Sequence, residues 1–150
     1  MFDKILRVGT RDSPLALWQA HKVLGLLKAA QLKTQLIATK SAGDLNLTQP
    51  IYAMGIQGVF TKTLDIALLE NRIDLAVHSL KDVPTQLPEG LVLAAVLERG
   101  SASDVLVQTH KADLEQASTI ATGSLRRKAQ WLHRYPHHHL VNLRGNVQTR

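Results

Sequence analysis

Ile73-Asp74-Leu75-Ala76-Val77-His78-Ser79-Leu80-Lys81-Asp82-Val83-Pro84 runs from a short, β-branched, mostly apolar stretch straight into a cluster of polar and charged side chains. Ile73–Val77 follows a helix-like segment, Phe60–Asn71, and reads as a buried parallel strand. Pro84 and Pro88 bracket the loop beyond it. Open α/β sheets bind ligands outside the carboxyl ends of their strands, so His78, Ser79, Lys81 and Asp82 fall where chemistry is usually done. The same residues also fit an ordinary strand-to-loop junction with solvated charges, and the pattern alone leaves both readings open.

Outward from this stretch, strands alternate with helices. Ile5–Gly9 reads as a first strand, and Thr10-Arg11-Asp12-Ser13-Pro14 turns it into a helix that runs to about Ala30. Ser13 suits the N-cap, and Pro14 the first helical position, where its missing N–H costs nothing. Leu17, Ala20, Leu24 and Leu27 share a face of that helix, while Gln19 and Lys22 lie on others. Thr34–Thr39 is a second strand; Ser41–Pro50 has no period and, with Gly55 and Gly58 close behind, reads as a long functional loop. Leu91–Leu97 reads as a further strand and Arg99–Ser103 as a linker. The pattern then restarts with strands at Asp104–Gln108, Thr119–Thr122 and Leu140–Leu143, a short helical piece at Ala112–Ala117 and a helix from Ser124 to about Tyr135. These spacings predict an α/β fold with largely parallel sheets, a first lobe over 1–98 and a partial second lobe over 99–150 that stops just inside a new helix. An unfinished sheet leaves an unpaired edge, so dimerisation or instability is the expected behaviour of such a piece.

Composition narrows the partners. Of the 150 residues 45% are hydrophobic and 20% charged, which fits a globular chain long enough to bury a core. The absence of cysteine excludes disulfides and thiol chemistry within these residues and favours a reducing cytosol. No stretch approaches the roughly 18 apolar residues of a membrane span. A net charge of +6 points to anionic partners, and aromatics at only 4% leave little for base stacking, which counts against nucleic acid.

Three predicted helix starts share one design: Thr10-Arg11-Asp12-Ser13, Thr122-Gly123-Ser124-Leu125-Arg126-Arg127, and Arg144-Gly145-Asn146-Val147-Gln148-Thr149-Arg150. Each sets arginine beside small or hydroxyl residues at a helix N-terminus, where the macrodipole disfavours a cation. A bound anion reverses that sign by accepting backbone N–H bonds and forked arginine contacts together. For any one of these arginines, pointing into water is the better account; three recurrences favour a ligand with several negative groups spread over a cleft between lobes. Other signals are weaker. His137-His138-His139 leads into Leu140-Val141, so a strand edge is a better reading than a metal site, and no metal is expected. Trp18 and Trp131 read as core or lobe-surface packing, and Gly55-Ile56-Gln57-Gly58 lacks the lysine and hydroxyl that a phosphate loop needs.

The stretches Gly9–Ala20, Ala67–Arg72, Ala76–Pro84, Gly123–Arg127 and Leu143–Arg150, in this order, resemble the porphobilinogen deaminase (hydroxymethylbilane synthase) family. The resemblance implies two lobes similar to periplasmic binding proteins, with mixed, largely parallel sheets, and a third small domain that is absent from these 150 residues. It implies a transferase of heme biosynthesis that joins four porphobilinogen units head to tail into hydroxymethylbilane, with release of ammonia. Each unit carries an acetate and a propionate. By the same resemblance Arg11, Ser13, Lys81, Arg126, Arg127, Arg144 and Arg150 bind these carboxylates, and Asp82 is the catalytic carboxylate, able to stabilise a positively charged azafulvene and relay protons. His78, Ser79, Gln57, Ser124 and Asn146 stand beside them as secondary candidates. The family pattern has lysine where this chain has Gln57, and a glutamine supplies no charge to a carboxylate. The family's dipyrromethane cofactor is attached to a cysteine of the third domain, so these residues alone are expected not to hold the growing product or to turn over. The implied partners are porphobilinogen and its oligomers, with neither nucleic acid nor membrane, and the family is usually monomeric. A non-catalytic anion-binding module with the same cleft is the alternative.

Overall fold

The structure, a computed structural model, describes residues 4–40, 60–108 and 113–145. The chain divides into two compact units, residues 1–96 and 97–150.

In the first unit β1 (Leu6–Arg11), α1 (Pro14–Ala29) and β2 (Thr34–Thr39) form a parallel crossover, followed by α2 (Lys62–Leu69), β3 (Leu75–Ala76) and a 3-10 turn at Leu80–Asp82. The three strands form one parallel sheet in the order β2-β1-β3, with Val8 opposite both Leu36 and Leu75. β3 is shorter than the strand expected over Ile73–Val77. Its flanks still bond to β1, because the Asp74 N–H donates to the Arg7 carbonyl at 2.8 Å and the Val77 N–H to the Gly9 carbonyl at 2.9 Å.

Local sequence fixes the helix ends. Ser13 Oγ accepts the Ala16 N–H at 3.4 Å, and Pro14 opens α1. At the other end Gln31 turns left-handed at φ 60°, so that its N–H reaches the Lys28 carbonyl and that of Leu32 the Leu27 carbonyl. α2 closes in the same way, with Asn71 at φ 55° and the Arg72 N–H on the Ala67 carbonyl. The core lies where α2 crosses the sheet. Leu64, Ala67 and Ile73 are buried there against Ile37, Leu68 and Ala76, and burying a side chain such as Leu64 is worth about 2 kcal/mol. Gly9, on the central strand, makes that approach possible: a Cβ there would collide with Ile73 Cδ1 and lie 3.1 Å from Leu64 Cδ2. Asp74 fastens the far end of the same strand pair, accepting from Arg7 N at 2.8 Å, Arg7 Nε at 3.0 Å and Lys4 Nζ at 2.8 Å. Trp18, by contrast, is 63% exposed.

In the second unit β4 (Thr119–Ala121), α3 (Leu125–Arg134) and β5 (His139–Val141) make another parallel crossover, with Thr119 opposite His139. Ser124 caps α3 by accepting the Arg127 N–H at 3.4 Å. Behind α3, His138 is buried and both its ring nitrogens are engaged: Nδ1 accepts from Trp131 Nε1 at 3.1 Å and Nε2 donates to the Leu114 carbonyl at 3.0 Å. Tyr135 stacks on the same imidazole at 5.1 Å. The triple histidine therefore contributes a packing residue and the first residue of β5. Among the described residues no group of three or more His, Asp or Glu is placed to hold a metal ion.

Three expectations are corrected. Leu91–Leu97 and Asp104–Gln108 form no strand. An apolar, β-branched run becomes a strand only where a neighbour completes its ladder; these find none among the described residues, and Val92, Val105 and Val107 are 83%, 83% and 89% exposed. Residues 113–117 form a turn instead of a helical piece, because Asp113 Oδ1 accepts the Glu115 N–H at 3.0 Å and so competes with helical bonding. Every pairing among the described strands is parallel, in keeping with the largely parallel sheets expected. The expected loop at 41–58 lies outside the described residues.

Candidate active site

The order β2-β1-β3 makes the carboxyl ends of β1 and β3 a topological switch point: the chain leaves β1 for β2 on one side and returns as β3 on the other. In parallel sheets ligands bind in the crevice that this reversal opens. The Val77 N–H bond to Gly9 places the two departing segments, Thr10–Ser13 and Val77–Asp82, side by side. Thr10 is fully buried and its Oγ1 donates to the Ala16 carbonyl at 3.1 Å, tying the start of α1 to the end of β1. The Asp12 N–H donates to the Thr39 carbonyl at 2.8 Å, which ties the same turn to β2.

Arg11 lies half-buried at this strand end with its guanidinium 4.1 Å from the centre of the Phe60 ring. The aromatic face holds the flat guanidinium in place by a cation–π contact. Ser13 uses Oγ as an acceptor in capping α1, which leaves its hydroxyl proton to donate. His78 is half-buried, and its Nε2 is shielded from solvent without a hydrogen-bond partner among the described residues. Burial pushes this imidazole below its ordinary value, opposed by the charges of Asp65 and Asp82 and reinforced by Arg11. The shift favours the uncharged form of His78. Ser79 Oγ donates to Gln19 Oε1 on α1 at 3.0 Å. The 3-10 turn follows, closed by the Asp82 N–H on the Ser79 carbonyl at 2.9 Å, with Lys81 exposed and Asp82 half-buried.

The second unit repeats the arrangement in smaller form. The Thr122 N–H donates to the Val141 carbonyl at 3.0 Å and the Leu143 N–H to the Thr122 carbonyl at 3.3 Å, so the chain leaves β4 and β5 at neighbouring points. Ser124, Arg126, Arg127 and Arg144 follow these two exits, with Arg126 exposed and Arg144 half-buried. Arg127 is not bare: its Nε and Nη2 grip the Asp104 carboxylate at 2.9 and 2.7 Å. That pair holds the guanidinium above and the carboxyl below their ordinary values. A cation at this helix start therefore has an internal anion, which the sequence reading did not foresee. A cavity of about 190 Å³, lined by Ala117, Ser118, Thr119, His137 and His139, opens at the opposite, amino ends of β4 and β5.

The first unit thus brings together Arg11, Ser13, His78, Ser79, Lys81 and Asp82, and the second Ser124, Arg126, Arg127 and Arg144. Gln57, Asn146 and Arg150 lie outside the described residues. Three participants escaped the sequence reading: Gln19, Phe60 and Asp104. Each acts on a partner far along the chain, and nothing local marks it.

A family model described as the porphobilinogen deaminase, dipyromethane cofactor binding domain matches residues 6–150. The chain belongs to the porphobilinogen deaminase family. It is 46% identical over 155 aligned residues to the porphobilinogen deaminase, chloroplastic, of Oryza sativa subsp. japonica, a match that takes in 97% of this chain and 43% of that protein. The chain thus spans less than half the length of this deaminase relative. The matched domain is the one that binds the family's dipyrromethane cofactor. The donor set here suits such a group, because guanidinium, ammonium and hydroxyl donors at parallel strand ends are what pyrrole carboxylates require.

Proposed function

We propose that this chain forms part of a hydroxymethylbilane synthase, which condenses porphobilinogen units head to tail with release of ammonia. One observation carries the reading: β1 and β3 are neighbours, so Arg11 and Ser13 emerge beside the turn that bears Lys81 and Asp82. Arg11, Ser13 and Lys81 thereby stand at the same crevice as the Asp82 carboxyl, a combination that suits a ligand bearing carboxylates. Family membership supports the same reading, since the matched model is that of a cofactor-binding domain.

In this proposal Arg11, Ser13 and Lys81 orient acetate and propionate groups through charge-assisted hydrogen bonds. Arg126 and Arg144 offer the same chemistry at the ends of β4 and β5, and Arg127 would do so by exchanging the Asp104 carboxylate for one of the ligand's, with Arg150 beyond the described residues. The dipyrromethane cofactor, when bound, supplies the free pyrrole carbon to which the first unit is joined. Asp82 accepts a hydrogen bond from a pyrrole N–H. Its negative charge stabilises the positive charge that develops on the substrate ring as ammonia departs. Asp82 would also serve as the base that takes up the proton released once the new carbon–carbon bond has formed.

Ammonia release from porphobilinogen by the protein made in its own cells tests the reading. Asp82→Asn keeps the volume and a hydrogen-bond acceptor but removes the charge, and it should slow release by about 10²- to 10⁴-fold with the fold intact. Near-normal release by that variant would sink the assignment of Asp82, and no release by the unaltered protein would sink the function.

A further inference from the structure

We propose that Gln19 is a positioning residue for the Lys81–Asp82 turn, acting through Ser79; this rests on the function proposed above. Ser79 occupies the N-cap of the 3-10 turn, yet its side chain makes no capping bond there. A serine at such a position ordinarily accepts an N–H from the turn that it begins. Here the hydroxyl proton is directed across 60 residues of sequence to Gln19 Oε1, at 3.0 Å.

The two ends of that bond differ in what holds them. Gln19 lies on α1, whose start is fastened to β1 by Thr10 Oγ1 and whose Ala16 and Ala20 are buried. Ser79 lies on a loop that leaves a two-residue strand and is closed by single backbone bonds, Asp82 N–H to Ser79 and Val83 N–H to Leu80 at 3.2 Å. The firm partner is therefore the helix. The bond transmits the position of α1 to the residue immediately before Leu80-Lys81-Asp82, so the same helix whose N-cap is Ser13 also sets where Asp82 sits. Small displacements of a reacting group cost rate steeply, on the order of 10²-fold for 1 Å.

The test compares Gln19→Met, Gln19→Glu, Ser79→Ala and the Gln19→Met/Ser79→Ala double variant in porphobilinogen turnover by the complete protein from its own cells. Gln19→Met, which keeps the length but not the acceptor, should lower kcat by about tenfold, with KM changed by less than about threefold and melting temperature held. Gln19→Glu retains an acceptor for the hydroxyl and should restore kcat. The double variant should be no slower than Ser79→Ala. Normal kcat in Gln19→Met, equal losses in the Met and Glu variants, or additive losses in the double variant would each overturn the proposal. Amide exchange reads it without turnover: Gln19→Met should speed exchange of the Asp82 N–H by about tenfold, the worth of roughly one hydrogen bond. Unchanged exchange would contradict the positioning role. Absence of turnover in the unaltered protein would instead overturn the functional reading and leave the exchange result to decide this one.

Discussion

His78 shows how far one residue's surroundings decide its chemistry. Its ordinary value of 6.5 is lowered first by burial, and the nearby carboxylates of Asp65 and Asp82 restore only part of the loss. An imidazole lowered in the folded state binds fewer protons than the unfolded chain just below pH 6.5, so stability falls as the pH drops through that window and levels off below the folded value. Urea unfolding at pH 7 and pH 5.5 should show this fall, and His78→Asn should reduce it; an undiminished slope would locate the effect elsewhere. Asp74 acts with the same sign at lower pH. Its bonds from Arg7 and Lys4 hold the carboxyl well below the usual carboxylate range, so its contribution is present above about pH 4 and lost on further acidification. Arg127 teaches the opposite lesson about inference from charge. Its place at a helix start suggested an external anion, but Asp104 supplies an internal one 23 residues away. Sequence makes the cation visible and hides its partner.

At the scale of elements, caps were legible and pairings were not. Ser13-Pro14 and Ser124 announce α1 and α3 because capping is local chemistry, complete within four residues. The order β2-β1-β3 depends on which strand edges meet after long connections, and no local pattern carries it. Leu91–Leu97 and Asp104–Gln108 read as strands and form none for a related reason: alternation and branching mark what could be a strand, while a ladder partner decides whether it is one. Two substitutions test the account of the elements. Gly9→Ala forces Ile73 and Leu64 out of their packed positions and should cost about 1–3 kcal/mol, read as a lower urea midpoint; an unchanged midpoint would mean that α2 does not press on β1 as described. Gln31→Gly relieves a left-handed residue at the end of α1 and should raise stability by up to about 1 kcal/mol. A lower melting temperature would contradict the assignment of that turn.

For the whole molecule, the net charge of +6 and the arginines at strand ends both favour an anionic ligand, as the proposed function requires. Most of the candidate site could be located from sequence because it lies where strands run out into polar residues, at Thr10–Ser13, Val77–Asp82 and Thr122–Arg127. What could not be read is how the site is held: Phe60 under Arg11, and Gln19 behind Ser79. Among the described residues no helix is long and apolar enough to cross a membrane. The matched family domain binds a dipyrromethane, and the 150 residues contain no cysteine, so a thiol attachment for that cofactor cannot lie within them. The proposed function requires stepwise condensation of porphobilinogen on a pyrrole chain held by the protein. The most direct measurement is the intact mass of the protein made in its own cells, before and after brief exposure to porphobilinogen. The account predicts a polypeptide that already carries a dipyrromethane and then gains mass in steps, each equal to one porphobilinogen less one ammonia. A mass that matches the bare polypeptide and stays unchanged by porphobilinogen would contradict it.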